Sequence, residues 1–335
     1  MKQCKIYMSD IISQFIERAK KTPKKIVFPE GEDIRIIEAA SIIKSEEICI
    51  PVLLGDKSAI DKAASEAGFD ISGVQIVNPQ ESSYLDEFAE KYSSLRENIS
   101  LSMAKRIVRR SLYFGAMMVS QGLADGMVGG IASTTASLIQ AGAMCIGFEQ
   151  GISTPSSFFI MVIPEFLGEK NKVLIYADAA VTISPSAPQL AEIAIATAMN
   201  AKKLLGIEPK VAMLSFSTKG SASHSDVDKV VEATKIARQK KPDLNIDGEL
   251  QADAALVPKV AEKKVKESNV AGKANVLIFP DLDAANIAYK LTQYIGGAKA
   301  YGPILQGFKK PINDLSRGAS VQDVVGVTAI TAVRS

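Results

Sequence analysis

Hydroxyl, cationic and acidic side chains crowd into the segment Gly307–Asp323, which reads Gly-Phe-Lys-Lys-Pro-Ile-Asn-Asp-Leu-Ser-Arg-Gly-Ala-Ser-Val-Gln-Asp ahead of an apolar pattern over Val324–Val333. Two chemistries fit it. Ser320, with Asp323 three residues on, has the spacing of a capping box that satisfies backbone N–H groups at a helix start. Ser316 and Arg317 instead offer a hydroxyl and a guanidinium near a helix N-terminus, where unpaired N–H groups also favour negative charge, so the pair could clamp a phosphate. Spacing alone favours the cap, because such caps are common.

A second phosphate candidate is Gly129-Gly130-Ile131-Ala132-Ser133-Thr134-Thr135, which follows the strand-like Gly126–Val128 and precedes a helical pattern. Its glycines allow close backbone approach and its three hydroxyls can donate to oxyanions. It lacks the lysine of a Walker A loop and is not a GxGxxG fingerprint, and no dinucleotide fingerprint follows any other strand. An ordinary Ser/Thr cap and an anion loop fit it equally well.

Other polar residues carry weaker signals. Asp178 falls at the end of the strand-like Val173–Ala177, where α/β proteins bind ligands, but a loop-capping aspartate fits it better. The Ser215–Ser221 loop also ends a strand and is of a composition common in turns. His224, between Ser223 and Ser225, reads as a helix-entry residue, since a base normally has an orienting partner. Cys145 lies on an apolar helical face and reads as inert core.

At 335 residues the chain exceeds the usual size of a single core, so two domains are expected. Its apolar and charged fractions of 47% and 23% are those of a globular protein. A net charge of +2 gives no reason to expect nucleic acid or an anionic membrane as partner. The longest clean apolar run, Phe158–Ile163, is of strand length, and Asp10 and Glu17-Arg18 interrupt any signal-like N-terminus. Cys4, Cys49 and Cys145 form no CxxC pair, and the single histidine is insufficient for a multi-histidine metal centre. A reducing, cytoplasmic location is expected.

The elements that must position these residues follow a rhythm of short apolar run, small polar loop and long amphipathic pattern. Lys25–Phe28 precedes Ile34–Lys44, Cys49–Leu54 precedes Ala59–Ala67, Val173–Ala177 precedes Pro188–Leu205, Val211–Phe216 precedes Val227–Lys240, and Val276–Phe279 precedes Ala284–Ile295. Continuous apolar strands alternating with helices predict an α/β class with parallel strands covered on both faces. Glycine, serine and proline cluster at Gly147–Pro155 and again at Ile295–Pro303. The tail after Pro303 is too short to fold alone. The expected division is 1–149 with 304–335 as a discontinuous first domain and 150–303 as the second, with a ligand cleft between them.

The tail closely resembles the C-terminal motif of the phosphate acetyltransferases (phosphotransacetylases). The resemblance continues in order through Ile26–Asp33, Leu112–Gly130, Tyr176–Ile193, Ser215–Val231, Asp247–Ala254, Pro280–Leu291 and Tyr301–Val325, essentially the whole chain. It implies two three-layer α/β domains with largely parallel sheets flanking a central cleft, an isocitrate-dehydrogenase-like architecture. It also implies a homodimer that binds no cofactor and moves an acetyl group between acetyl phosphate and coenzyme A, giving acetyl-CoA and phosphate. Asp323 then looks like the base for the CoA thiol, Ser316 like the hydroxyl on the substrate or developing oxyanion, and Arg317 like the cation for the phosphoryl group. Ser133, Thr134 and Thr135 look like part of the phosphate pocket, and Arg96, Asn313 and Tyr294 occupy further substrate-binding positions. The absence of a Cys–His or Ser–His pairing favours direct transfer over an acyl-enzyme.

The chain departs from the family pattern where Gln140 and Tyr294 stand in place of arginines, at Glu97-Asn98-Ile99 after Arg96, and at Thr182-Ile183-Ser184. Fewer cations should weaken binding of anionic substrates or signal a different acyl group. The alternatives to an acetyltransferase are a butyryltransferase-like enzyme and a non-catalytic acetyl-CoA-binding regulatory module.

Overall fold

The computed structural model describes Asp10–Ser335; Cys4 lies outside the described residues. The chain forms two compact units. One comprises the described chain up to Gly147 together with Phe308–Ser335, and the other comprises Phe148–Gly307.

The first unit opens with α1 (Asp10–Lys21), β1 (Lys25–Phe28), α2 (Ile34–Ser45), β2 (Ile50–Leu54), α3 (Lys57–Ala67) and β3 (Gln75–Val77). It continues through α4 (Leu85–Ser94), α5 (Leu101–Val108), α6 (Ser111–Ser120), β4 (Gly126–Gly129) and α7 (Thr135–Cys145). The second unit contains β5 (Ser156–Phe166), β6 (Glu169–Ala177), α8 (Ala187–Leu205), β7 (Lys210–Leu214), α9 (Ser225–Lys240) and β8 (Asn245–Leu250). It closes with α10 (Ala252–Leu256), α11 (Pro258–Lys264), β9 (Val276–Ile278), α12 (Leu282–Tyr294) and β10 (Lys299–Gln306). The chain then returns to the first unit as β11 (Ile312–Asp314) and α13 (Val321–Arg334).

The first unit's sheet has the order β11-β4-β1-β2-β3, with every pairing parallel. Parallel strands need crossover helices, which cover both faces and make the strands apolar throughout. Ile26, Val27 and Phe28 of β1 are accordingly inaccessible to solvent. Helix starts follow the local chemistry: Asp33 accepts from Arg35 N to cap α2, Asp56 accepts from Ala59 N to cap α3, and Gly68 ends α3 in the left-handed conformation.

The second unit's sheet has the order β10-β5-β6-β9-β7-β8. Its β6-β9-β7-β8 part is parallel, while β10, β5 and β6 are antiparallel. The β5–β6 hairpin turns at Leu167-Gly168, both with positive φ, which the sequence rhythm did not mark. The expected boundary before Ile304 falls inside β10. Ile304, Leu305 and Gln306 pair with Phe158, Ser157 and Ser156, so the crossing back to the first unit comes after Gly307. Gln306 then seals the interior: its Nε2 donates to Ser156 Oγ at 3.0 Å and to Thr197 Oγ1 at 2.8 Å, tying β10 and β5 to α8.

Candidate active site

Strands β1, β4 and β11 lie side by side and end at one edge of the first unit's sheet, so the loops that follow them emerge together. The carboxyl edge of a parallel sheet is where α/β folds place their ligand sites. Asp314 is in register with Gly129, and Leu315 N donates to Gly129 O at 2.7 Å, which joins the start of the tail loop to the glycine loop after β4.

The tail loop is a tight turn. Ala319 N donates to Ser316 O at 2.9 Å and Gly318 N donates to Ser316 Oγ at 3.2 Å. Ser316 and Arg317 are exposed, and among the described residues the Arg317 guanidinium has no carboxylate partner. The turn is held from α2: Arg35 Nη1 donates to Arg317 O at 2.7 Å and Ala319 O at 3.3 Å, while its Nε and Nη2 grip Asp33 at 3.0 and 2.8 Å. That pairing holds the Asp33 carboxyl below the usual carboxylate range.

The expected capping box forms. Asp323 N donates to Ser320 Oγ at 3.2 Å, and Ser320 N and Oγ donate to Asp323 Oδ2 at 2.9 and 2.8 Å. Capping does not use up the carboxylate, because both bonds that it accepts reach Oδ2 and leave Oδ1 open on an exposed side chain. The cap and the base readings of Asp323 are therefore compatible.

The glycine loop differs from expectation. Gly130 N and Ile131 N donate to Glu30 Oε2, each at 2.8 Å, and Ala132 N donates to Glu30 Oε1 at 3.0 Å. The backbone donors that looked ready for a phosphate are satisfied by the protein's own carboxylate, from the loop after β1. The side-chain hydroxyls of the loop remain, and two of them are engaged within the protein. Ser133 is half-buried; Thr134 Oγ1 caps α7 by accepting from Ser137 N at 3.2 Å; Thr135 Oγ1 donates to Asp314 Oδ2 at 2.5 Å.

Asp314, like Glu30, is a polar residue of this edge that is not among the sequence-based candidates. It is only 4% exposed, and its Oδ1 has no hydrogen-bond partner. Burial raises the carboxyl to about 6, with Glu30 adding to the effect and the Thr135 hydroxyl opposing it. Gly130, at φ 104°, leaves room for this carboxylate, since a Cβ there would collide with Asp314 Oδ1 and sit 2.9 Å from Leu315 O. The available sequence signal was strand alternation. In Ile312-Asn313-Asp314 adjacent side chains must face opposite sides of the sheet, so one of two polar residues had to enter each layer.

Two expected substrate contacts within the first unit, Asn313 and Arg96, are engaged by the protein itself. Asn313 points under α13, where its Nδ2 donates to Thr331 Oγ1 at 2.7 Å and its Oδ1 accepts from Arg334 at 3.3 Å, so it fastens a helix. Arg96 donates to Met144 O at 2.5 Å, and its guanidinium lies 4.2 Å from the centre of the Tyr92 ring, so it is engaged in tying α4 to α7. Tyr294 belongs to the second unit and is 79% exposed at the end of α12. Gln140 is exposed on α7.

Elsewhere the plainer readings hold. Asp178 accepts from the hydroxyl and N–H of Ser157 and from the N–H groups of Ala180 and Thr182, fastening a loop. His224 caps α9 by accepting from Asp226 N. Burial pushes the Cys145 thiol up to about 12. Among the described residues no group of three or more His, Cys, Asp or Glu side chains is arranged to hold a metal, and no helix is long and apolar enough to cross a membrane.

Comparison with known proteins supplies what the geometry alone does not. The family model described as Phosphate acetyl/butaryl transferase matches residues 10–332. A phosphate acetyltransferase of Thermoanaerobacterium thermosaccharolyticum is 51% identical over 327 residues, covering 97% of this chain and 99% of the relative. One from Bacillus subtilis is 42% identical over 329 residues, covering 98% of this chain and 100% of the relative. A solved phosphotransacetylase from Streptococcus pyogenes superposes with a TM-score of 0.92 at 43% identity, covering 97% of this chain and 98% of that one.

Proposed function

The chain belongs to the phosphate acetyl/butaryl transferase family, and from that premise we infer that it transfers an acetyl group reversibly between acetyl phosphate and coenzyme A. Relatives named phosphate acetyltransferase align over nearly their full length, which favours acetyl over the longer acyl group and over a regulatory module. Coenzyme A is a substrate, and the reading assigns no bound cofactor.

The observation that carries the site assignment is the exposed Ser316–Arg317 turn, clamped by Arg35 and followed by a capped helix whose Asp323 keeps one carboxylate oxygen open. In the proposed reaction the CoA thiol loses its proton to Asp323 as sulfur attacks the carbonyl carbon. A C–S bond forms, the C–O bond to phosphate breaks, and phosphate leaves with the electron pair. A free thiol has a pKa of about 8.5, so a positioned carboxylate raises the reactive fraction, an effect worth roughly 10²–10⁴ in rate. Ser316 donates to the developing oxyanion, and Arg317 neutralises the departing phosphate bidentately. Thr135 and Ser133 lie at the start of α7, where a phosphoryl group also gains from the helix N-terminus. Binding both substrates together supplies orientation, and the route needs no acyl-enzyme.

A homodimer and a cytoplasmic location are part of the same proposal. The first is supported by an apolar stripe on α12, where Ile287, Leu291, Tyr294 and the following Ile295 are 57%, 52%, 79% and 82% exposed. Tyr294 fits that stripe better than a substrate contact. The second is supported by the buried, unpaired Cys49 and Cys145.

The test is acetyl-CoA formation from acetyl phosphate by the Arg317→Ala variant. Loss of turnover with an unchanged melting temperature is expected, and wild-type turnover would refute the phosphate role. A stoichiometric burst of phosphate in the absence of CoA would refute direct transfer.

A further inference from the structure

We propose that Asp314 and Thr135 form a proton-gated pair at the phosphate end of the site, in which protonated Asp314 turns the Thr135 hydroxyl outward to donate to the phosphoryl oxygen and ionised Asp314 draws that hydrogen inward. The proposal rests on the placement of Thr135 at the phosphoryl group made above. Asp314 is a positioning residue in it, since it acts through the threonine.

A hydroxyl has one hydrogen to give. Thr135 Oγ1 lies 2.5 Å from Asp314 Oδ2, so the two oxygens share a single hydrogen along that line. When Asp314 is ionised it has none to offer, and the Thr135 hydrogen must point at it. The threonine then shows only lone pairs to an incoming anion and repels it. When Asp314 carries the proton it donates to Thr135 Oγ1, and the threonine hydrogen is released toward the phosphoryl group. One proton taken up from solvent at the carboxylate balances the change.

Three further features favour the protonated form when an anion is present. Asp314 Oδ1 is buried without a donor, a situation far costlier for a carboxylate oxygen than for the carbonyl of a neutral acid. The charged group acting on the pair is Glu30, which repels a second negative charge, and among the described residues no cation contributes at Asp314, Arg35 being engaged with Asp33. Helix α7 has no charged side chain, the end of β4 and the loop after it contribute only the Gly129 and Gly130 backbone here, and Arg334 of α13 reaches Asn313 on the opposite face of β11. Finally, a phosphate dianion at Thr135 adds negative charge close to Asp314, so anion binding and proton uptake assist each other by linkage. The carboxyl, raised to about 6 before any substrate binds, is poised for this.

The experiment is the pH dependence of the KM for acetyl phosphate between pH 5.5 and 8.5 in the wild type and in the Asp314→Asn, Thr135→Val and Thr135→Ser variants, with the KM for CoA and kcat followed alongside. Substrate ionisation is common to all and cancels when variants are compared. In the wild type the KM for acetyl phosphate should rise at least about fivefold across this range while the KM for CoA holds steady. Asparagine, a permanently neutral partner that can donate to Thr135, should flatten the rise to within about twofold. Thr135→Val should give a high KM with the same flattening, and Thr135→Ser should follow the wild type. An Asp314→Asn profile that rises as steeply as the wild type overturns the gate while leaving Thr135 at the phosphoryl group. Should that variant not fold, a Thr135→Val profile as steep as the wild type overturns it equally. A Thr135→Val variant with wild-type KM at every pH overturns both the gate and the placement it rests on.

Discussion

Arg35 Nη1 donates to the carbonyl oxygen of Arg317 at 2.7 Å, linking the start of α2 to the turn that carries the proposed phosphate cation. The same guanidinium is fixed by Asp33, the N-cap of α2. A helix cap, an ion pair and the tail turn thus form one mechanical unit, in which Arg35 acts on Arg317 through the backbone.

Replacing Arg35 by alanine should therefore affect turnover more than stability. The lost bonds are partly exposed and should cost about 1 kcal/mol of folding stability. Misplacing a substrate-orienting group by an ångström can cost on the order of 10²-fold in rate, so kcat/KM should fall at least tenfold. Lysine has no fork and should not rescue it. Steady-state kinetics with a melting curve decide, and unchanged kcat/KM would show that the turn holds its shape without the clamp.

Asp314 should make the protein less stable as pH rises. Its folded value of about 6 lies above the ordinary carboxylate value of 3.8, so the folded state binds the proton more tightly than the unfolded chain. The stabilisation is complete below the unfolded value and is lost as pH climbs through about 6. The gap of two units corresponds to at most about 3 kcal/mol. Urea unfolding of wild type and Asp314→Asn at pH 4.5 and pH 7.5 tests this. The asparagine variant should gain about 2 kcal/mol relative to wild type between the two conditions, and a pH-independent difference would mean that Asp314 titrates normally.

Gly130 should be irreplaceable. Its φ of 104° is strained for any other residue, and the added Cβ would run into Asp314 Oδ1 and the Leu315 carbonyl at the point where β11 leaves the sheet. Gly130→Ala combines backbone strain with steric overlap and should destabilise the fold by about 3 kcal/mol or more. The Glu30 carboxylate cannot relieve it, because its bonds to the loop depend on the same backbone conformation. Chemical denaturation measures the loss; a variant within about 0.5 kcal/mol of wild type would show that the loop adapts.

The strand–helix alternation was legible because each parallel strand is a continuous apolar run, as Ile26-Val27-Phe28 shows. So was the cap at Ser320–Asp323, which depends on local spacing alone. Strand β11 was not, since Ile312-Asn313-Asp314 has too few apolar residues to signal a strand and pairs only because β4 offers its edge. The fates of Asn313 and Asp314 followed from that omission. Once the segment is a strand, one side chain must turn to α13 and the other to α7. Glu30 was hidden for a different reason: its partners, at Gly130 to Ala132, lie about a hundred residues away, and no local pattern encodes such a pairing.

The two roles of the α13 N-terminus can be separated by substitution. Ser320 completes the cap but has no part in the proposed chemistry, and Asp323 contributes to both. Ser320→Ala removes the acceptor for Asp323 N and should cost about 1 kcal/mol of stability, with turnover within a few-fold of wild type. Asp323→Asn keeps an oxygen able to accept from Ser320, so the helix start should survive with a loss below about 1 kcal/mol. Its turnover with CoA should nevertheless drop by roughly 10²-fold or more, because an amide cannot take the thiol proton. The deficit should shrink as pH rises toward the thiol's own pKa of about 8.5, where thiolate forms without help. A turnover loss in Ser320→Ala as large as in Asp323→Asn would assign the effect to helix geometry, and an Asp323→Asn deficit independent of pH would remove the base role.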